Sequence, residues 1–196
     1  HILSINPFNQ PNVESAKVRA REMIATYQET GELPDQHLTL KDGKITVHEI
    51  ALPANSAPGA LQHFLDQVHE GTYIAVHAYI QPSAANSAAL EHFRTYLRKQ
   101  SGAPVTVGYG PRFLHSTGQL HKGDGGKGLF IQITSEPLQD LPIPDTAGSS
   151  ESSLTFGTLK MAQAQGDAQA LREAGRQVIR FHLWGEAAPL LAALQQ

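Results

Sequence analysis

The chain has 196 residues, with 15 Lys or Arg and 18 Asp or Glu, so its formal net charge is −3. At roughly 100–200 residues per domain, this length predicts a single domain. The mild acidity argues against nucleic-acid binding, which needs a clear Lys and Arg surplus. The absence of cysteine excludes disulfides, thiolate nucleophiles and cysteine-ligated metals. No apolar run approaches the ~20 residues of a membrane helix, so we expect no membrane partner and a cytoplasmic location.

The first predicted element is an amphipathic helix. Apolar residues from Val13 to Ile24 recur at spacings of three and four, Pro11 precedes them, and Gly31 supplies a stop signal. Two alternating runs then flank Asp42-Gly43, a pair typical of a tight type I′ turn, and predict a peripheral β-hairpin over residues 38–48. The chain opens at His1 without a starting Met or a signal sequence, and we therefore expect it to be a segment of a longer chain.

The rest of the chain alternates predicted helices and strands. The runs chosen as strands are apolar enough to suggest burial on both faces, as in parallel sheets covered by helices. The sequence therefore predicts an α/β fold, a three-layer sandwich with a mostly parallel sheet. Residues 136–153 are rich in Pro and Ser and are predicted to form a covering arm. The predicted segments are helices at 57–68, 84–99 and 156–174, strands at 73–80, 105–109, 129–134 and 178–183, and a short terminal helix.

One candidate for chemistry is Lys17 in the first helix. Its spacing from Val13, Ala20 and Ile24 assigns it to the side of the helix that should be buried. Such a lysine either extends past the edge of the core or holds its ammonium against an anion or a developing negative charge. Among lysines in general the first reading is the commoner one.

The second candidate is His115, which follows a predicted strand in a basic stretch. Ligands of open α/β sheets collect beyond the carboxyl ends of strands. Between Arg112 and Lys127, three cations face one acid, Asp124. Histidine can give and take a proton near neutral pH, although a hydrogen-bonded structural imidazole is the commoner role for a lone histidine.

Both stretches resemble one enzyme family. The sequence Phe8-Asn-Gln10-Pro-Asn12-Val-Glu-Ser-Ala-Lys17 is similar to the C-terminal signature of glucose-6-phosphate isomerases. The sequence His115-Ser-Thr-Gly-Gln119 resembles their His-Ser-x-Gly-Gln motif. Almost the whole chain resembles the C-terminal part of the bifunctional transaldolase/glucose-6-phosphate isomerase family, including the run Arg-Phe-Leu-His-Ser-Thr-Gly-Gln-Leu-His-Lys-Gly.

The resemblance implies a sugar-isomerase (SIS-like) fold and interconversion of glucose 6-phosphate and fructose 6-phosphate. It implies no metal and no organic cofactor. The partners it implies are a sugar phosphate, an upstream isomerase subdomain and a transaldolase domain of the same chain. The catalytic residues that it implies are Lys17 and His115, and the substrate-binding residues are Gln10, Ser116, Gln119 and Lys122.

Some features depart from the family pattern. Asn12 stands where the family has a small residue. The stretch over residues 8–17, the lysine motif, precedes the stretch over residues 115–119, the histidine motif, whereas stand-alone isomerases have the opposite order. The family's Gly-Gly-Arg segment, its phosphate-binding Ser/Thr loop and the glutamate that acts as the base at C2 have no counterpart here. We therefore expect half an active site, and an isolated segment with almost no turnover.

Two other functions fit the sequence. One is a non-catalytic sugar-phosphate-binding or regulatory domain of the same fold, because fold alone does not fix function. The other is a docking module that uses residues 136–153 as its interaction arm. The glycine pattern at Gly123–Gly128 leads into a strand and not from a strand to a helix, so it does not predict dinucleotide binding.

Overall fold

The computed structural model describes residues 2–4, 6, 8–34, 38–48 and 53–196. In this part of the chain, no helix combines the length and apolar character needed to cross a membrane. Helices and strands follow the predicted alternation. The elements are α1 (Pro11–Thr30), β1 (Leu38–Asp42), β2 (Ile45–His48), α2 (Ala57–Leu65), β3 (Tyr73–Tyr79), α3 (Ala84–Ser101), β4 (Val105–Tyr109), a 3-10 turn (Arg112–Leu114), α4 (Ser116–Gly123), β5 (Gly128–Ser135), β6 (Pro142–Ile143), β7 (Leu154–Thr155), α5 (Phe156–Glu173), β8 (Gln177–Leu183) and α6 (Ala187–Ala193).

The main sheet has six strands in the order β1-β2-β8-β5-β3-β4. The strands β8, β5, β3 and β4 are parallel to their neighbours, whereas β2 is antiparallel to both β1 and β8. The predicted hairpin over residues 38–48 therefore forms one edge of this sheet. Helices cover the sheet on both sides, and the predicted three-layer α/β sandwich is confirmed.

The predicted helix boundaries follow from local chemistry. The helix α1 begins at Pro11, whose missing N–H costs nothing in the first turn, and ends at Gly31 with a φ of 79°. The helices α2, α3 and α5 each follow a hydroxyl side chain that accepts a backbone N–H from the first turn. These capping residues are Ser56, Ser83 and Thr155.

One face of the sheet is apolar. Alternate residues of the central strands, such as Val76, Ile131 and Phe181, pack against α2, α3 and α6 in the largest hydrophobic cluster. The strand registers bring these side chains into rows. This face contains most of the apolar core of the fold.

The opposite face of the sheet is mixed. Near the amino ends of the strands, Ala75, Phe130 and Val178 pack on α5, but further along this face is polar, and there the prediction that the strands are hydrophobic on both faces is wrong. Strand pairing aligns two rows of polar side chains that cross β3, β5, β8 and β2. Most of these side chains are buried. Buried polar groups are tolerated where they find hydrogen-bond partners, and composition does not reveal such partners. The rows are His77, Gln132, Arg180 and His48, and Tyr79, Thr134, His182 and Thr46.

The helix α5 lies on this polar face, and α1 packs on α5. Contact is close because Gly166 of α5 faces the backbone of α1: a Cβ built on Gly166 would lie 2.7 Å from the nitrogen of Ala20. Near the start of α1, Ala16 meets Leu114 of the 3-10 turn and Ala170 of α5. The first helix is therefore fixed beside the segment that leads into α4.

We expect Gly166→Ala to lower the free energy of unfolding by about 1–3 kcal/mol, because the new methyl group meets backbone atoms and not a flexible side chain. Urea denaturation of this variant measures the effect. Gly125→Ala is the matched control, since a Cβ at Gly125 has no neighbour within 4 Å. Equal stability of the two variants would contradict this account of the α1 and α5 contact.

Candidate functional site

The two sequence motifs meet where α1 begins. The backbone N–H of Asn12 donates to Oε1 of Gln119 at 3.0 Å, across 107 positions of sequence. Because Asn12 belongs to the lysine motif and Gln119 to the histidine motif, the hydrogen bond joins the two stretches directly. The contact of Ala16 with Leu114 supports the same arrangement.

The lysine motif lies at the amino end of α1. Gln10 occupies the N-cap position, and its side chain makes no capping hydrogen bond. The side chain of Lys17 is 35% exposed, and its ammonium donates to Glu14 at 2.7 Å. The sequence assigned Lys17 to the buried side of its helix, but the residues buried there are Val13, Ala16, Ala20 and Met23. Lys17 therefore lies on the flank, with its ammonium open to solvent.

The histidine motif opens α4. His115 occupies the N-cap position of α4, and both His115 and Ser116 are exposed, whereas Gln119 is half-buried. The 3-10 turn separates His115 from the carboxyl end of β4, which agrees with the predicted location beyond a strand. In the described part of the chain, no hydrogen bond joins Lys17 to His115.

Lys122 requires a correction. The resemblance assigned it to substrate binding, but it is 3% exposed and its ammonium donates to Oδ1 of Asp167 at 2.5 Å. An ammonium held inside the protein by a carboxylate does not face a ligand at the surface. Lys122 therefore connects α4 to α5.

Lys122 and Asp167 belong to a buried polar cluster that also includes His77 and His121. Nδ1 of His77 lies 3.0 Å from Oδ2 of Asp167, and Nε2 of His77 lies 3.1 Å from Nδ1 of His121. An ionised carboxylate only accepts hydrogen bonds, so Nδ1 of His77 carries the proton and donates to Asp167. Nε2 of His77 then accepts from the Nδ1–H of His121. The network thus assigns one tautomer to each imidazole.

Burial sets the protonation states in this cluster. Burial lowers the pKa of His77, although the hydrogen bond and charge of Asp167 oppose the change. Burial, with a smaller effect from His77, lowers the pKa of His121 to about 4. Burial by itself raises the pKa of Asp167, but Lys122 and His77 together bring that pKa below its ordinary value. At neutral pH the cluster therefore contains an ionised carboxylate and two neutral imidazoles.

Aromatic rings enclose the cluster. The ring of Phe113 stacks on His77 with a centroid separation of 3.6 Å and an interplanar angle of 6°. Phe113 lies in the 3-10 turn, two residues before His115. Burial and the charge of Asp167 raise the pKa of the Tyr79 hydroxyl, which is also buried nearby. The cluster is therefore in contact with the turn that leads into α4 as well as with α4.

Directional polar contacts hold α4 in place. Its leucine, Leu120, is 66% exposed, and its buried residues are Gly118, His121 and Lys122. At its carboxyl end, the guanidinium of Arg176 donates to the carbonyl oxygens of His121 and Lys122 at 3.1 and 2.8 Å. At its amino end, Gly118 approaches the carbonyl of Phe113 so closely that a Cβ would lie 1.7 Å from that oxygen.

A separate cavity of about 750 Å³ opens at the carboxyl ends of the parallel strands. Its walls include the residues that follow β3, β4, β5 and β8, which is where open α/β sheets bind ligands. The charged lining residues are Glu136, Asp140, Lys160 and Glu186, an excess of acid that does not favour a phosphate group. None of the six predicted site residues lines this cavity.

The predicted arm over residues 136–153 forms part of this cavity wall. Its β6 pairs with β7 in a small antiparallel ladder. The carboxylate of Asp140 accepts from the backbone N–H of Gly157 at 2.7 Å and so satisfies the start of α5. The segment is therefore attached to the body of the protein, and its role as a cover for another domain stays a prediction.

The sequence reasoning missed His77 and Asp167. A signal for His77 was present, because it interrupts the otherwise apolar run over residues 73–80. Asp167 lies among alanines and a glycine on α5, where no periodic pattern marks a buried acid. A buried charge needs a partner, but the sequence does not say which cation approaches it. Among the described residues, no group of three or more His, Asp or Glu is arranged to hold a metal ion.

Among solved structures, the chain is similar to the crystal structure of hypothetical protein TT0462 from Thermus thermophilus, with a TM-score of 0.58 and 20% sequence identity. The similarity covers 93% of this chain and 42% of that protein, so the chain spans less than half the length of its structural relative. At this identity the likeness shows the fold alone. No family model and no curated protein match the chain.

The low pKa of His121 predicts a pH-dependent stability. An unfolded histidine takes up a proton near pH 6.5, whereas folded His121 does so only at about pH 4. The free energy of unfolding therefore falls as the pH drops from 6.5 to 4, and His121 accounts for about 2 kcal/mol of this loss. Urea denaturation across this range measures it.

In His121→Asn the new amide can still donate to His77 but cannot titrate. The fall in the free energy of unfolding between pH 6.5 and 4 is therefore expected to be about 2 kcal/mol smaller in this variant. His63→Gln is the control, because His63 is exposed on α2. An identical pH dependence in His121→Asn and the unaltered protein would contradict the assigned protonation state.

Proposed function

We propose that this chain supplies part of the active site of an aldose–ketose isomerase that interconverts glucose 6-phosphate and fructose 6-phosphate. The observation that carries the proposal is the hydrogen bond from Asn12 to Gln119. It joins two motifs that each resemble the same enzyme family and lie far apart in sequence. A chance resemblance in either motif gives no reason for the two to be neighbours.

His115 is proposed to move the proton that opens the sugar ring. The imidazole is exposed at the N-cap of α4, so a bound sugar can reach it. Histidine both donates and accepts protons near neutral pH, as protonation of the ring oxygen and its reversal require. Ser116 and Gln119 follow in the same helix and are proposed to hold the sugar hydroxyls.

Lys17 is proposed to stabilise the negative charge that develops on the sugar oxygens as a proton moves between C2 and C1. Its ammonium pairs with Glu14 at the surface, and such exposed pairs contribute only about 0–1 kcal/mol. A substrate oxygen can therefore compete for the ammonium while Glu14 keeps the lysine side chain oriented. Gln10, at the start of the same helix, is proposed to orient the substrate.

The remaining groups of the reaction are proposed to come from other parts of a longer chain. A carboxylate outside these residues is proposed as the base at C2, and an upstream isomerase subdomain is proposed to bind the phosphate. A transaldolase domain of the same chain and a cytoplasmic location complete the proposal. The proton at C2 is acidified by the adjacent carbonyl of the open sugar, so the reaction requires neither a metal nor an organic cofactor.

A non-catalytic sugar-binding or regulatory domain is the second candidate. The cavity at the strand ends favours it, because this cavity stands apart from the motif residues and could take a ligand of its own. In that case the exposed Lys17 and His115 either contribute to the affinity for a sugar phosphate or have no part in binding it, and isomerase turnover does not depend on them.

We expect Lys17→Ala and His115→Ala, each in the full-length protein, to lower kcat by about 10²-fold or more, because each removes a group that acts in the transition state. Steady-state isomerase assays and separate measurement of sugar-phosphate affinity test this. Lys99→Ala and His63→Ala are the controls, since both residues are exposed on helices that pack on the other face of the sheet. Loss of affinity with unchanged kcat would favour the second candidate, and unchanged kinetics would reject both roles.

A further inference from the structure

We infer that Asp167 is a positioning residue of the proposed site, which holds α4 and therefore His115 in place through Lys122 and His77. The inference rests on the proposed function for its kinetic consequence. Its structural part, the attachment of α4 by one buried carboxylate, stands on the contacts alone. Asp167 is buried under α4 and is not expected to touch the substrate itself.

The helix that carries the histidine motif lacks an apolar anchor. In α4 the leucine faces solvent, and the buried side chains of His121 and Lys122 are both polar. Helices of globular proteins are normally fixed by an apolar stripe that packs on the core. The hydrogen bonds and the ion pair made by these two side chains therefore supply the attachment of α4 to α5 and to the sheet, beside the contacts of Arg176 and Asn12 at the two ends of α4.

Asp167 lies at the centre of these contacts. Oδ1 accepts from Lys122 of α4, and Oδ2 accepts from His77 of β3, so one carboxylate of α5 links three elements. His77 passes the restraint on, because its Nε2 accepts from His121 of α4 and its ring stacks on Phe113. Asp167 thus contacts Lys122 directly, and through His77 it also fixes His121 of α4 and Phe113 of the turn before His115.

Because the cluster consists of a buried ion pair and hydrogen bonds, we expect it to fix the position of α4 more than to stabilise the fold. A buried ion pair gives little net stability compared with apolar side chains of similar volume, because removing the charges from water opposes their attraction. Its bonds are directional, however, and fix the two partners in one geometry. Because α4 is only eight residues long, a shift of Lys122 also moves His115.

The test compares Asp167→Asn with the double variant Asp167→Asn/Lys122→Met, both in the full-length protein. The single variant leaves the ammonium of Lys122 buried without its carboxylate and is expected to lose stability. The double variant removes both charges and retains an amide oxygen that accepts from His77, so it is expected to recover most of that stability. Leu97→Ala is the control for stability alone, because Leu97 is buried against the apolar face of the sheet.

In the double variant we expect kcat to stay at least tenfold below that of the unaltered protein, with KM within threefold. Hydrogen exchange of the α4 amides is expected to be at least tenfold faster than in the unaltered protein. Leu97→Ala is expected to lose stability but to keep its kcat and the α4 exchange rates. A purely structural role predicts instead that turnover returns together with stability.

Two results would overturn the positioning role: unchanged α4 exchange in the double variant, or a kcat within twofold of the unaltered value. An equal loss of kcat in Leu97→Ala would overturn it as well, because general instability would then explain the effect. The absence of isomerase turnover in the unaltered protein would overturn the proposed function, and hydrogen exchange would still decide whether Asp167 holds α4.

Discussion

The carboxylate of Asp167 is buried between a lysine and a histidine, and the arrangement of the candidate site depends on this contact. Without it, Lys122 would carry a buried charge and His77 would lose the acceptor that fixes its tautomer. The helix α4 would keep its contact with Arg176 and with the start of α1. It would lose the connection to α5 and the connection to the sheet that passes through His77.

The two faces of the sheet contribute to the fold in different ways. The apolar face, covered by α2, α3 and α6, contains most of the side chains whose burial drives folding. The polar face, covered by α5 and α4 with α1 packed on α5, provides hydrogen-bond partners that fix particular side chains. Elements that present the two motifs all lie on the polar side. On the polar side, directional hydrogen bonds fix the positions of individual side chains. On the apolar side, burial stabilises the fold without requiring such exact positions.

The sequence predicted those parts of the fold that local chemistry determines. The Pro11 and Gly31 signals delimited α1 correctly, and the Asp42-Gly43 pair located the hairpin. The alternation of strands and helices was sufficient to predict the three-layer sandwich. The convergence of the two motif segments was expected only from a family resemblance, since nothing local relates Asn12 to Gln119.

The errors concern residues whose environment is set by tertiary contacts. A helical period assigned Lys17 to a buried face, but α5 covers a neighbouring stripe and leaves the lysine on the flank. The family resemblance assigned Lys122 to the substrate, yet the anion that its ammonium contacts is Asp167. The helix α4 was not predicted, because it has no apolar stripe to detect.

The proposed function requires Lys17 and His115 to contact one and the same sugar. A crystal structure of the full-length protein with bound fructose 6-phosphate would show whether they do. We expect the ammonium of Lys17 and the imidazole of His115 both to lie within about 3.5 Å of oxygen atoms of the same sugar. A sugar bound in the cavity at the strand ends, with both side chains left in solvent, would contradict it.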